Sequence, residues 1–507
     1  MKTQRISFFL AAVLLTFGAA TSVRAQFNET NSLFYHAQRA PQTNLLNPAL
    51  HPGRNTFYLS FPGIDNIQFG SPLSLNEIIY FDPVAQVSVI NLDSIFHRLT
   101  DDNQFRFGSS VNILGLGLKI KNLFVNTNLR LVNQVNVGLP ISTVNAFLNG
   151  NMDQEGNVIN EVEFLSGDLF NAQSYLETSI GAGYHISPIN LTVGIHAKLL
   201  SGLANIQTDN TRVVLETDDE VSSLSAHMYY ELRAASAIPY DYDTVNGVEF
   251  KFPKTASDIF KGFLTNTGLA FDIGARWDLG LFSFSLALND LSAGIHWKNN
   301  LFAISPKYGQ GVIEFNGIDI NNFLDNGTFS ADSFKTYLQE RIENMTPATD
   351  TAAADYWYPI PTKINLGANV TLLKYLRAGL LFHGQFDRGI FCKSGSPSLD
   401  DITVNVTNTF RWNTTISFSA SLFDWAELIV GSSIVHDGTS FDFFNPGAGI
   451  ILAPAKAFQL YLMADYISNI RLVQAKAFNI KCGANLLFGK GGKKKATPFL
   501  PDLPISL

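Results

Sequence analysis

The chain has 507 residues, of which 46% are hydrophobic and 12% aromatic but only 15% charged, and its formal net charge is −8. Charge this sparse, against a usual share of about 25%, argues against a dispersed soluble protein. The acidic balance excludes the basic footprint that a nucleic-acid partner needs.

The first residues read as an export signal rather than as fold. Lys2 and Arg5 precede an apolar stretch from Ile6 to Ala20, and Val23-Arg24-Ala25 offers a cleavage site, so 1–25 is expected to be a signal peptide for Sec-type export. Past it no run of ~20 apolar residues remains, which excludes a spanning helix. Residues 26–54 are polar, proline-bearing and aperiodic. Such a segment needs shelter from lipid and is placed at or inside the mouth of whatever follows.

Strand patterns begin at Thr56. The first clear pair is 104–120 and 123–138. In the second, Leu123, Val125, Leu129, Leu131, Val135 and Val137 alternate with Asn126, Asn128, Arg130, Gln134 and Asn136. A dry sandwich core would not accept that polar side. Further candidates are 174–187, 189–202, 205–217, 222–235, 266–278, 281–297, 361–373, 375–388, 402–423, 425–436, 441–453, 456–467 and 474–488. Phe410–Phe423 shows the two faces best: Phe410, Trp412, Thr414, Ile416, Phe418, Ala420 and Leu422 on one side, Arg411, Asn413, Thr415, Ser417, Ser419 and Ser421 on the other.

Very short connections (Lys121-Asn122, Ser187-Pro188, Leu279-Gly280, Leu373-Lys374, Asp424-Trp425, 453–455) and long ones (139–173, 236–265, 298–360, 389–401) sort to opposite ends without a parity clash. This is the habit of an outer-membrane barrel, with short periplasmic turns and long outer loops. Sixteen strands fit, and 14 fit equally if one pair belongs to a loop. Short helices are expected in the loops, at 331–345 and 91–99. Tyr356, Trp357, Tyr358, Trp277 and Trp425 cluster near strand ends, where interfacial girdles belong. The basic, Pro-rich 489–507 reads as a periplasmic tail. Cys392, in a loop, and Cys482, on an apolar strand face, read as unrelated thiols.

Neither a G-x-S-x-G elbow, an H-E-x-x-H pair nor a Walker A loop is present, and no histidines stand at metal-ligand spacing, so no enzyme, metal or cofactor is expected. The polar parity of the strands nominates Arg130, His196, Lys198, Asp272, Arg276, Lys363, Asn365, Arg377, His383, Gln385, Arg411, Asp465 and Lys481 as lumen residues. Mixed charges of this kind either line a wet pore or cross-pair to rigidify a closed one.

Leu45-Leu46-Asn47-Pro48-Ala49, within NLLNPALHPG, resembles the Asn-Pro-Ala signature of FadL-type long-chain fatty-acid transporters and related secretion-associated barrels of Bacteroidota. In that family the segment belongs to a hatch plugging a 14-stranded barrel, so the resemblance makes Asn47, Pro48 and Ala49 hatch candidates. NPALHPG, FYLSFPGIDNIQFG, KLLSGLANIQT and GVIEFNGIDI together look like an uncharacterised family of Bacteroidota outer-membrane barrels. The expectation is an all-β transmembrane barrel over 55–488, in the outer membrane, with 26–54 as its plug. Two functions follow: hatch-gated passage or capture of a small ligand, hydrophobic if the likeness extends that far, or a non-transporting scaffold for a surface or secretion complex.

Overall fold

The computed structural model describes residues 32–51, 57–82, 86–90, 99, 103–139, 143, 161–167, 169–218, 223–238, 240–243, 247–251, 255–298, 300–304, 312–315, 324–325, 328–329, 355–373, 375–386, 398–399, 402–403, 410–423, 425–436, 441–455, 457–467 and 476–489. The signal segment, the 331–345 pattern, nearly all of 91–99, Cys392 and the tail past Gly489 lie outside them.

Fourteen strands close into one antiparallel barrel. They are β1 (Phe57–Ser60, resuming as Gly63–Gly70), β2 (Gln104–Ile120), β3 (Leu123–Gly138), β4 (Phe170–Ile186), β5 (Leu191–Asp218), β6 (Thr267–Leu279), β7 (Phe282–Leu291), β8 (Thr362–Leu373), β9 (Leu376–Phe386), β10 (Phe410–Phe423), β11 (Ala426–His436), β12 (Phe441–Ala455), β13 (Phe458–Asp465) and β14 (Ala477–Phe488). Closure is made by β1, where Phe57 pairs with Phe488 of β14 on one side and Leu118 of β2 on the other. The break in β1 falls at Phe61-Pro62, where proline has no N–H to give a ladder.

Strand alternation then sorts the side chains. On β10, Ile416 is exposed while its neighbours Thr415 and Ser417 are buried. Across the barrel Ile180, Ile195 and Leu269 stand outward at 66%, 61% and 60% exposure. A closed wall has no unpaired edge, and an apolar outer band on such a wall belongs in lipid. Trp277 and Trp425 are exposed at the ends of β6 and β11, where the short turns run, and Trp425 stacks on Phe423 at 5.2 Å. Gly280, at φ +61°, makes the β6–β7 turn. Among the described residues no helix is long and apolar enough to cross a membrane.

The expected strands are rearranged in three places. The patterns at 189–202 and 205–217 are a single strand, β5, whose first half pairs with β6 and whose second half pairs with Ser223–Ser236. A transmembrane strand needs only about 9–11 residues, so a 28-residue strand must project. The pair 205–217 and 222–235 is therefore loop, and the count is 14. The 281–297 pattern breaks after Leu291, and Gly294–Trp297 pairs instead with Tyr356–Pro359. At that break Asp290 and Ser292 take φ of 58° and 54°. The 402–423 pattern yields a wall strand only from Phe410, while Ile402–Thr403 pairs locally with Ser398–Leu399.

Candidate functional site

The interior is layered, and β5 alone shows the order. Reading inward from its short turn, Gly194 lies under Pro48, His196 and Lys198 enter an ionic network, Leu200 joins an apolar cluster, and Gly202 lies under Trp297.

The first layer is the segment 32–51, two tight 3₁₀ turns at Phe34–His36 and Pro41–Leu45 enclosed by the wall. Proline at the start of the second turn pre-sets its φ. Residues 33–37 pack apolar side chains on the wall: Leu33, Phe34 and Ala37 form one cluster with Ile429, Ile451, Tyr461 and Met463. From residue 38 onward Ala40 and Leu46 still touch apolar side chains, but most of the contacts are polar. Gln38 Oε1 accepts from Arg276 at 3.1 Å and Arg377 at 3.2 Å, and Arg39 lies 3.0 Å from Glu427. Gln42 donates to Ser60 and Asn485, and Asn44 donates to Tyr58. Asn47 Nδ2 donates to the Tyr35 hydroxyl at 2.9 Å, while its Oδ1 accepts from the Ala49 amide at 2.9 Å. The side chain thus holds the Asn47-Pro48-Ala49 turn closed and ties it back to Tyr35. The wall gives way to that turn at two glycines. A β-carbon at Gly194 would meet the Pro48 carbonyl, and one at Gly274 would meet the Asn47 amide.

Above it lies the charged layer. Arg130 is 3.0 Å from both Asp65 and Glu177. On the neighbouring strands Lys198 is 2.9 Å from Asp272 and 2.7 Å from Asp290, and Lys363 reaches Asp290 at 3.3 Å. His196 also contacts Asp272, at 3.2 Å. Lys481 donates to the Asp65 carbonyl and lies over the Phe34 ring at 5.6 Å. His383 bonds Asn365, which donates to the Leu46 carbonyl of the enclosed segment. Gln385, Arg411 and Asp465 are buried on β9, β10 and β13, and Arg411 stands two residues from Asn413, which meets Ser32.

The third layer is apolar. Val132, Tyr175, Leu200, Ile295, Trp297, Tyr356 and Ile360 pack into one buried cluster on the loop side of the charged layer. Between it and the segment lies a cavity of about 60 Å³, bordered by Asp65, Arg130, Glu177, Lys198, Asp290 and Lys363 and floored by Phe34, Leu45 and Leu46. Among the described residues no group of three or more His, Cys, Asp or Glu could hold a metal ion.

A family model described as a family of unknown function, DUF5723, matches residues 48–465. The chain belongs to that family. The DUF5723 match begins at Pro48, inside the turn seated on Gly194 and Gly274. No curated protein matches the chain. Solved structures similar to it include the Ralstonia pickettii toluene transporter TbuX, at 10% identity over 89% of this chain and 94% of that one, TM-score 0.40. A Pseudomonas aeruginosa FadL homologue matches at 9% identity over 89% and 95%, TM-score 0.40. The CymD monoaromatic hydrocarbon channel matches at 8% identity over 94% and 97%, TM-score 0.42.

Several members of the site escape sequence reading. Asp65 and Asn66 both turn inward because the pairing of β1 with β2 slips between Ile64 and Asn66, which breaks simple alternation. Asp290 sits at the break after β7 for a similar reason. Glu177 follows the plain parity of β4 and was open to view there. Gln38, Arg39 and Asn44 belong to an aperiodic segment that carries no such signal.

Proposed function

We propose that this DUF5723 protein is a gated conduit of the outer membrane, passing or capturing a small molecule, with the part of the N-terminal segment that includes Asn47, Pro48 and Ala49 as its gate. The observation that carries the reading is the division of the segment. Residues 33–37 put Leu33, Phe34 and Ala37 into the apolar cluster, whereas 38–49 add Ala40 and Leu46 to it and otherwise meet the wall through amides, carbonyls and guanidinium groups. An apolar contact is lost outright on release, but polar groups on both sides exchange their bonds for water at a net difference of only about 0.5–1.5 kcal/mol each. The polar half is thus the part able to leave and return. No catalytic step belongs to this reading, and the route from export signal to membrane is taken as Sec-type.

Planar-bilayer recording on the full chain tests it. Wild type should show low, bursting conductance, and Asn47→Ala, which opens the turn, should raise the open fraction. Silence in both proteins, with the barrel inserted and folded, would overturn the reading.

A second function rests on the projecting half of β5. With Ser223–Ser236, Glu161–Gly167, Asn300–Ile304 and Val312–Phe315 it forms a sheet outside the wall. That platform suits a scaffold for a surface or secretion complex. Co-purification of a defined partner with wild type but not with a chain shortened across 205–235 would support it, and recovery of the barrel alone from both would not.

A further inference from the structure

The cavity behind the gate has a chemistry of its own. Its charged border falls into two groups. On one side Arg130 and Lys481 stand with Asp65 and Glu177, and on the other Lys198 and Lys363 stand with Asp290, while Asp272 pairs with Lys198 from behind the lining. With that outer partner counted each group has two cations and two anions, and both signs reach the cavity. Val132 and Tyr175 roof it, and Phe34, Leu45 and Leu46 floor it, so the ions stand between apolar surfaces. Under those conditions a ligand bearing one charge would leave an uncompensated buried charge, and a hydrocarbon would satisfy none of the ions it displaced water from. A molecule with its own ammonium and carboxylate brings its own compensation. One acceptor is already available: Asn66 borders the cavity, and its buried Oδ1 has no hydrogen-bond donor. The size agrees, since about 60 Å³ holds roughly four to six water-sized groups at ~10–15 Å³ each, and the smallest α-amino acid is of that order.

We infer that the cavity is a binding site for a small zwitterion of the α-amino-acid class. Its ammonium goes to Asn66 Oδ1 and the neighbouring Asp65 and Glu177 carboxylates, and its carboxylate goes to Lys198 and Lys363. This deepens the gated-conduit reading and relies on it only for the route of entry.

The test is equilibrium dialysis of labelled glycine against the purified full chain, with acetate, methylammonium and toluene as separate competitors. Glycine should saturate near one site per chain, and each competitor should displace it at least about tenfold less well than unlabelled glycine, about 1.4 kcal/mol. Asn66→Leu should weaken binding by a similar factor, and Asn66→Asp, which keeps an acceptor, should retain it; heat-modifiable gel mobility reports folding of both. Equal competition by acetate, methylammonium or toluene would overturn the proposal, as would glycine binding unaltered by Asn66→Leu. If Asn47→Ala conducts but no glycine binds, the site is wrong and the conduit stands. If glycine binds but no variant conducts, the site stands and the conduit falls.

Discussion

The Pro48 carbonyl occupies the space in which any side chain at residue 194 would begin. The Ala49 amide is 2.8 Å from that same point, so the close approach is of backbone to backbone and nothing flexible can swing aside. Gly194→Val should therefore leave the wall paired, since valine suits a strand, while overpacking the seat by about 1–3 kcal/mol. The expected outcome is a folded barrel with a higher open fraction in bilayer recordings. A closed-state fraction equal to wild type would show that the turn does not need this seat.

The outward face of β10 makes an independent claim. Ile416 is 53% exposed and lies between two buried residues, Thr415 and Ser417. If the exposed face meets lipid, Ile416→Lys should cost roughly 2–4 kcal/mol near the midplane. Ser417→Ala, on the inner face, should cost much less. Folding into lipid vesicles, followed by urea titration, compares the two directly.

The wall was legible because period-two alternation is a local property, and Thr415, Ile416 and Ser417 display it without reference to any partner. The limit shows at β5, where the same alternation runs on past residue 201 into a sheet outside the barrel. Alternation reports a strand and not which strand lies beside it. Inside, Arg130, Lys198, Asp272 and Lys363 could be read as charges on polar faces, yet their mates Asp65 and Asp290 could not, because a slip in register or a break moves them across the parity. The Asn47-Pro48-Ala49 turn was visible only as a motif. Its seat depends on Gly194 and Gly274, distant in sequence, and no local pattern links them.

Arg130 offers a test of the charged layer as a structural unit. Its guanidinium serves two carboxylates, Asp65 and Glu177, that are 8% and 5% exposed. Arg130→Met removes the shared cation and leaves both acids buried, a loss expected near 3–5 kcal/mol. Combining it with Asp65→Asn and Glu177→Gln should recover most of that loss, because the acids are then neutral. Thermal unfolding of the single and triple variants in one detergent decides it. A triple variant no better than Arg130→Met would mean that packing, and not charge, sets the effect.

His36 links the enclosed segment to pH. Its Nδ1 is 2.8 Å from Asn369 Oδ1. Burial lowers the imidazole from 6.5 to about 4, Arg377 acts in the same direction, and the Asn369 bond opposes them incompletely. The seated segment therefore favours neutral His36. When 38–49 leaves, Gln38 and Arg39 uncover the neighbouring His36, and its imidazole in water binds a proton near pH 6.5. Seating is then fully present above about pH 6.5 and is lost as pH falls from there toward 4, by up to about 3 kcal/mol in all. The open fraction of the full chain should accordingly rise between pH 6.5 and 4. His36→Gln, which cannot take up a proton, should flatten that rise while leaving the neutral-pH conductance near that of wild type. An acid response unchanged in His36→Gln would place the titrating group elsewhere.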